Sequence, residues 1–182
     1  RAILMFVAPQ VYIAGILGGA ASRAQLPNVA RSRATRLQRR VEALRVRPPD
    51  LSMGELAAMS WACELLGLAE VAESFDNRVI WIDFENFLEH SAAGLRAVLE
   101  HLHGSAEPGE IAALLRSPDF QRYSKAPAHA FDVASRRRVL ARSAVENRME
   151  IQRGLAWLNA AGGAHGAIAA AARLAAAAPR LI

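Results

Sequence analysis

The sequence predicts a helix-rich α/β layer protein whose sheet is incomplete and contains few parallel strands. Two short apolar runs with β-branched residues, Ile3 to Val7 and Val79 to Ile82, are typical of strands buried in a parallel sheet. The helical segments between them, residues 29–74, are long enough for the crossover that joins two parallel strands. Because a two-stranded sheet rarely stands alone in water, we expect the sheet to lack its opening strand. An all-α bundle, in which both apolar runs are buried helices, is the alternative.

Composition narrows the class of protein. Of the 182 residues, 53% are apolar and 21% are charged, which places the chain among globular proteins and excludes disorder. The single Cys63 excludes an internal disulfide framework and a Cys-rich zinc site. One cysteine also suits a reducing compartment, so we expect a cytoplasmic protein.

The net charge of +5 conceals three blocks of alternating sign. Residues 1–47 carry nine arginines against one glutamate, and residues 48–135 carry fourteen acidic residues against five basic ones. Residues 136–182 carry eight arginines against two glutamates. We expect these blocks to neutralise one another within one fold, and a basic surface kept for a polyanion is the alternative.

Residues 2–22 contain no charge and are long enough to raise the possibility of a membrane-spanning helix. Pro9 and Gln10 near the middle, and the small residues at the end, favour a division into a strand, a turn and a helix. Proline suits the first turn of that helix, which carries an apolar set: Val11, Tyr12, Ile13, Ile16 and Leu17. The chain starts at Arg1 in the middle of an apolar element, so we expect a further segment upstream.

Helix signals dominate the next part of the chain. A basic helix is predicted over residues 29–46, with Leu37, Val41 and Leu44 as its buried stripe, before two prolines end it. Ser52 and Glu55 have the spacing of a capping box. The helix that follows has its apolar residues at three- and four-residue spacing: Leu56, Met59, Cys63 and Leu66. Beyond it we predict a strand inside the sheet at 78–84 and helices over 86–103 and 108–115.

The last third of the chain predicts a loop, a long helix and a tail. Residues 117–131 contain two prolines and are predicted to be a loop. Asp132 is the expected N-cap of a long helix that ends at Gly162 and Gly163. The buried stripe of that helix is predicted to be Leu140, Ala144, Ile151, Leu155 and Leu158. We therefore expect one domain over residues 1–162 and an Ala-rich tail, 163–182, that lies outside a core.

Several common catalytic signatures are missing from the sequence. It contains no GK[ST] ending of a phosphate loop, no GxSxG elbow and no HExxH pair. His101 and His103 lie two residues apart near a helix end, where a solvated position is favoured over a metal site. Asp83 and Glu85 follow the second strand, where they are either ligand-binding residues at the sheet edge or acids that stabilise a helix N-terminus.

The order of the segments resembles the C-terminal two-thirds of bacterial sulfotransferases. The resemblance covers about residues 1–160. In chain order, its segments begin with an apolar strand, then the stretch PQVYIAGILGGAASR, then a capped helix with Trp61 and Glu64. They continue with the strand VIWIDF and the FENFL after it, the loop RYSKAPAHAFD, and the closing stretch EIQRGLAWL. These enzymes have a P-loop-like, three-layer α/β fold and transfer a sulfuryl group from 3′-phosphoadenosine 5′-phosphosulfate (PAPS) to an acceptor hydroxyl or amine. The resemblance implies this fold and this activity for the intact parent.

The resemblance also implies where the nucleotide binds. In the family, a strand ends in an Arg-x-Pro turn, and a serine about two helical turns later joins that arginine on the 3′-phosphate of PAPS. With Pro9 aligned to that proline, Val7 stands at the arginine position and Gly15 at the serine position, so both ligands are absent. Ser22 and Arg23 are the candidate substitutes, because arginine binds phosphate with two N–H groups and serine adds a hydroxyl.

A second nucleotide-binding segment is implied by Arg122, Tyr123 and Lys125. They resemble the late loop that closes over the nucleotide in the family, and a purely structural connection is the alternative. The element that grips the 5′-phosphosulfate would lie upstream of Arg1, and no residue is assigned as general base. We therefore predict that this chain alone is inactive, with PAPS as its nucleotide co-substrate, an unknown acceptor and no metal.

Two other classes of function stay open. A basic helical module would bind nucleic acid through residues 31–47, although few aromatic residues lie among these arginines to stack on bases. A membrane-anchored interaction protein would use residues 2–22. On balance we expect neither nucleic acid nor a membrane as a partner.

Overall fold

The computed structural model describes residues 1–75, 78–123 and 126–177, and helices dominate it. Within these ranges the strands are β1 (Ala2–Phe6), β2 (Val79–Asp83), β3 (Arg122–Tyr123) and β4 (Ala126–Ala130). The helices are α1 (Pro9–Gly18), α2 (Ala20–Arg40), α3 (Met53–Phe75), α4 (Phe84–Glu89), α5 (Ser91–His103), α6 (Pro108–Arg116), α7 (Val133–Glu146), α8 (Arg148–Ala164) and α9 (Gly166–Ala176).

β1 and β2 form a parallel pair. Its register runs from Ala2 opposite Val79 to Phe6 opposite Asp83, and α1, α2 and α3 supply the crossover between the strands. Both predicted strands and the crossover are therefore confirmed. Within the described residues β2 pairs with β1 alone and is mostly half-buried, so the predicted position inside a wider sheet is not found there. The protein is a helix-rich chain with a small parallel sheet.

Side chains of this sheet alternate between two apolar clusters. Phe6 and Trp81 pack against the larger cluster, which is built around α3. Ile80 and Ile82 belong to a smaller cluster, which α4, α5 and α6 complete with Phe87, Leu95, Leu99 and Ile111. Because neighbouring residues of a strand point to opposite faces, the two clusters lie on opposite sides of the sheet. Helices therefore cover both of its faces.

The uncharged segment 2–22 is divided as predicted into a strand, β1, and a helix, α1; the start of α2 within it was not predicted. Pro9 occupies the first turn of α1, and Ile13 and Leu17 of this helix are buried in the larger cluster. Among the described residues, no helix combines the length and the apolar character that a bilayer span requires.

α3 is the central helix of the larger cluster and packs against α1, α2, α8 and α9. It begins at the predicted capping box. The Ser52 hydroxyl accepts a hydrogen bond from the Glu55 N–H at 3.3 Å, and the Glu55 carboxylate accepts one from the Ser52 N–H at 2.7 Å. The predicted stripe of α3 is buried: Leu56, Met59, Cys63 and Leu66.

α3 and α8 approach each other closely at two glycines. A Cβ atom on Gly154 would lie 2.5 Å from the carbonyl oxygen of Gly54, and one on Gly54 would overlap the backbone of Glu150. The Glu150 carboxylate also accepts a hydrogen bond from the Gly54 N–H at 2.7 Å. The backbones of the two helices can therefore meet only because these positions have no side chain.

α2 differs from the predicted basic helix 29–46 at both ends. It begins earlier, at Ala20, and continues through Pro27, and its buried stripe is Leu26, Ala30, Ala34 and Leu37. It also ends sooner. Val41 and Leu44 are buried as predicted, but they lie at and beyond the helix end instead of inside it.

The predicted helix 86–103 is divided at His90. α4 starts earlier than predicted because the Asp83 carboxylate caps it, accepting a hydrogen bond from the Asn86 N–H at 2.9 Å. The backbone of His90 leaves helical geometry, with φ −124° and ψ 48°. This break lets both α4, through Phe87, and α5 face the smaller cluster.

The predicted long helix after Asp132 is divided at Asn147 into α7 and α8. Asp132 caps α7 as predicted, accepting hydrogen bonds from two N–H groups of the first turn at 3.1 and 2.9 Å. Ser143 is buried and Ala144 is exposed, so the predicted stripe is wrong at Ala144. The reason is a specific contact: the Ser143 hydroxyl donates to the carbonyl oxygen of Ala14 at 2.7 Å.

Residues 117–131 are not a simple loop. They contain a 3-10 turn at Pro118–Gln121 followed by β3 and β4, which pair antiparallel. Alanines and prolines lack the apolar alternation that indicates a strand, so local sequence did not predict this hairpin.

The Ala-rich segment was expected to lie outside a core, and this is wrong for α9. Ile168, Ala171 and Ala175 are buried in the larger cluster, where α9 packs on α3 and α8. α8 also continues through Gly162 and Gly163, which were expected to end it. Small side chains give little apolar signal in a sequence, yet they allow helices to pack closely.

Candidate functional site

A cleft lies at the carboxyl end of β1, between this strand, α1, α2 and α3. It consists of two neighbouring cavities of about 150 and 530 Å³, both lined by Tyr12 and Glu64. In open α/β sheets, ligands bind outside the carboxyl ends of parallel strands. The position and size of the cleft therefore make it the candidate functional site.

The smaller cavity is mostly apolar. It lies against Phe6 and Val7 of the strand end and against one face of α3, which contributes Trp61, Leu65 and Leu68. Trp61 is 5% exposed, and its indole Nε1–H donates to the carbonyl oxygen of Val7 at 2.7 Å. This bond holds the end of β1 against α3, so the wall of the cavity is fixed. Such a chamber suits a flat apolar or aromatic group.

The larger cavity is polar and contains one of the predicted site residues. Ser22 lines it together with Gln25 and Arg33 of the same helix. The Ser22 hydroxyl lies 2.9 Å from the carbonyl oxygen of Ile16 and donates back to its own chain. Its oxygen atom can still accept a hydrogen bond, but its proton is already engaged.

Arg33 and Glu64 form the charged wall of the larger cavity. Nε of Arg33 lies 3.2 Å from Oε1 of Glu64, and Nη2 of Arg36 lies 3.1 Å from the same oxygen. Burial raises the pKa of the nearby Tyr12 phenol; Arg33 acts against this shift and Glu64 adds to it. Tyr12 is therefore neutral at pH 7 and can donate a hydrogen bond to an anion.

Of the remaining predicted site residues, the described side chains of Arg23 and Arg122 do not line this cleft. Arg23 is exposed and lines a separate groove of about 510 Å³ with Glu146 and Asn147. Arg122 is exposed on β3, and none of the described hydrogen bonds or ion pairs joins it to Ser22. For Tyr123 only the backbone in β3 is described, and Lys125 lies outside the described residues.

The two positions that the resemblance aligns with phosphate ligands, Val7 and Gly15, face different parts of the structure. Val7 lines the apolar cavity, whereas a side chain on Gly15 would point toward Leu140 of α7, whose Cδ2 lies 3.7 Å from the site of a Cβ. A serine at position 15 would therefore face the α1–α7 contact. Only Val7 of this pair reaches the cleft.

Arg33 and Glu64 are the site residues that the sequence did not single out for binding. Arg33 entered only as part of the basic stretch 31–47 in the nucleic-acid alternative, and Glu64 only through the resemblance. A signal was available: Arg33 and Arg36 lie three residues apart and so share a helix face, opposite a helix that is rich in acidic residues.

Ion pairs join the basic blocks to the acidic block across the fold, in the direction that was expected. Arg33, Arg36 and Arg40 pair with acids of α3, and Arg136 and Arg137 pair with acids of α4: Glu64, Glu70, Glu85 and Glu89. Asp83 and Glu85 therefore serve as a helix cap and an ion-pair partner. Among the described residues, no group of three or more histidine, cysteine, aspartate or glutamate side chains could hold a metal ion.

No protein-family model matches this sequence, and comparisons with curated proteins and with solved structures found no match.

Proposed function

We propose that this chain is the nucleotide-binding part of a sulfotransferase-like enzyme with a P-loop-like fold. Its ligand is PAPS or the product adenosine 3′,5′-bisphosphate, and the intact parent transfers the sulfuryl group to an acceptor hydroxyl or amine. The observation that carries this proposal is the pair of neighbouring cavities at the carboxyl end of β1: one is apolar and the other is polar and lined by Arg33, and these linings match the two halves of a nucleotide.

The contacts of the cleft support a defined orientation. The adenine ring lies in the apolar cavity, beside Trp61 and Leu65, where stacking and apolar contact stabilise it. The phosphate lies in the larger cavity, where Arg33 supplies charge-assisted hydrogen bonds and Tyr12 a neutral donor. The parallel pair β1 and β2, each followed by a helix, supports the comparison with nucleotide-binding α/β layers.

The role of this chain in the transfer is binding and charge stabilisation. During transfer, an acceptor oxygen or nitrogen forms a bond to sulfur, the bond from sulfur to the 5′-phosphate oxygen breaks, and the acceptor gives up a proton. The leaving nucleotide gains negative charge, which a nearby guanidinium stabilises. We assign no residue of this chain as the base, so we expect binding without turnover.

The test is isothermal titration calorimetry with adenosine 3′,5′-bisphosphate. We expect saturable binding that Arg33→Ala weakens about tenfold or more, because a hydrogen bond to a charged group is lost. Arg31→Ala is the matched control, since Arg31 is an exposed arginine of the same helix and its removal changes the net charge equally. Adenosine 5′-monophosphate should bind more weakly. Absence of saturable binding, or equal losses in both variants, would refute the proposal.

A double variant tests the predicted nucleotide contact of Arg122 and Lys125. Arg122 is exposed on β3, and the resemblance implies that it and Lys125 reach the nucleotide. If they do, the double variant Arg122→Ala/Lys125→Ala lowers the affinity for adenosine 3′,5′-bisphosphate. An unchanged affinity would show that this segment is only a structural connection.

A further inference from the structure

One carboxylate oxygen of Glu64 contacts two arginines beside the larger cavity, which Glu64 and one of the two, Arg33, line. Oε1 of Glu64 lies 3.2 Å from Nε of Arg33 and 3.1 Å from Nη2 of Arg36. The two arginines are successive residues of one α2 face, and Glu64 reaches them from α3. Two guanidinium groups that converge on one oxygen form the arrangement that proteins use to bind oxyanions.

We propose that Arg33 and Arg36 form a binding site for a phosphate or sulfate ester group, and that Glu64 is a built-in anion that the ligand must displace. The identity of the ligand as a nucleotide rests on the proposed function, but the anion site and its competitor do not. Glu64 thereby sets the affinity of the cleft: it occupies the arginines when the ligand is absent and moves aside when an anion arrives.

Exposure of these side chains makes the displacement feasible. Glu64 keeps 46% of its side-chain surface exposed and Arg36 keeps 48%, so the carboxylate can swing into water. Arg33 is 22% exposed, which leaves it in place against the cavity wall. Exposed ion pairs contribute little to stability, so breaking this one costs little. A phosphate group carries more charge than a carboxylate and offers more acceptor oxygens to the two guanidinium groups.

A neighbouring pair on the same two helices shows the contrast. Nε of Arg40 lies 2.8 Å from both carboxylate oxygens of Glu70, so that carboxylate is fully used by one arginine. Glu64 instead gives one oxygen to two arginines and lines both cavities. The Arg40–Glu70 pair therefore joins the helices, whereas the Glu64 cluster faces a space that a ligand can enter.

The experiment compares Glu64→Gln with the unchanged protein by isothermal titration calorimetry, using adenosine 3′,5′-bisphosphate and, separately, inorganic pyrophosphate. Removing the competing carboxylate should tighten binding of both about tenfold, because one repulsive charge and two ion pairs disappear. Glu70→Gln, which removes the same charge from the same helix, is the matched control and should change either affinity by less than about twofold. Glu64→Asp retracts the carboxylate by one methylene and should tighten binding partially; it decides the question if Glu64→Gln does not fold.

The outcomes separate this inference from the proposed function. Tighter binding of pyrophosphate without binding of the nucleotide supports the anion site and refutes the nucleotide proposal. Nucleotide binding that Glu64→Gln leaves unchanged or weakens overturns the inference and leaves the proposed function standing. Equal tightening by Glu64→Gln and Glu70→Gln also overturns it, since net charge alone would then explain the effect.

Discussion

Replacing Gly154 by alanine should destabilise the protein by about 2 kcal/mol, because the new methyl group has no space between α3 and α8. Its Cβ would lie 2.5 Å from the carbonyl oxygen and 2.9 Å from the carbonyl carbon of Gly54, and 3.0 Å from Cδ1 of Ile13. The first two atoms are backbone, so relief requires the helices to move apart. Overpacking of this kind costs up to about 3 kcal/mol. The higher helix propensity of alanine offsets about 1 kcal/mol of it.

Gly163→Ala is the matched control for this prediction. It makes the same substitution in the same helix, at an exposed position where a Cβ would meet nothing within 4 Å. It should stabilise the protein by up to about 1 kcal/mol through helix propensity alone. Urea unfolding followed by circular dichroism measures both free energies of unfolding. If Gly154→Ala were as stable as Gly163→Ala, the close approach of α3 and α8 would be wrong.

Three further substitutions test local features of the fold. Ser52→Ala removes the hydroxyl that caps α3 and should lower the free energy of unfolding by about 1 kcal/mol in urea. Arg136→Met removes the guanidinium whose Nη2 lies 2.5 Å from Oε1 of the half-buried Glu85. It should lower the free energy of unfolding by about 1 to 2 kcal/mol. Hydrogen bonds from Ser135, first of all from its hydroxyl, lower the pKa of Asp132, so this carboxylate stabilises the fold above its unfolded pKa. That contribution should disappear as the pH falls through the lower, folded-state pKa of Asp132. The free energies of unfolding of Asp132→Ala and of the unchanged protein, measured in urea at decreasing pH, should therefore converge.

Each of these predictions has a control. Ser32→Ala alters an exposed hydroxyl that bonds within its own helix turn, so it should have little effect on stability. Arg137→Met breaks an ion pair whose arginine is 59% exposed, and it should cost at most about 0.5 kcal/mol. For Asp132, a difference between variant and unchanged protein that persists at low pH would contradict the link between the cap and its ionisation.

The elements that the sequence predicted well are those with local signals. β1 and β2 are contiguous apolar runs, and α3 and α7 each begin at a cap whose side chain lies within three residues of its partner. Such signals are contained in a few neighbouring residues, so they can be read before the fold is known. The layered arrangement followed from them because parallel strands need a long crossover.

The elements that the sequence predicted poorly depend on tertiary contacts. The breaks at His90 and Asn147 have no proline or glycine, and they exist because helices must follow the surfaces of their clusters. α9 is buried through alanines whose partners lie far along the chain. The same holds for the candidate site, where Arg33 acquires its role only when packing brings Glu64 of another helix beside it.

The central position of α3 has a consequence for how the chain folds. Its contacts come from α1 and α2, which precede it, and from α8 and α9, which follow it only after β2, α4 to α7 and the hairpin. During synthesis, one face of α3 therefore stays exposed until residues 148–176 have emerged. Contacts of such wide sequence separation slow folding, because a large loop must close before they form. The nascent chain therefore presents an apolar face of α3 from the time this helix is made until α8 follows, and transiently exposed apolar surface of this kind is what chaperones protect.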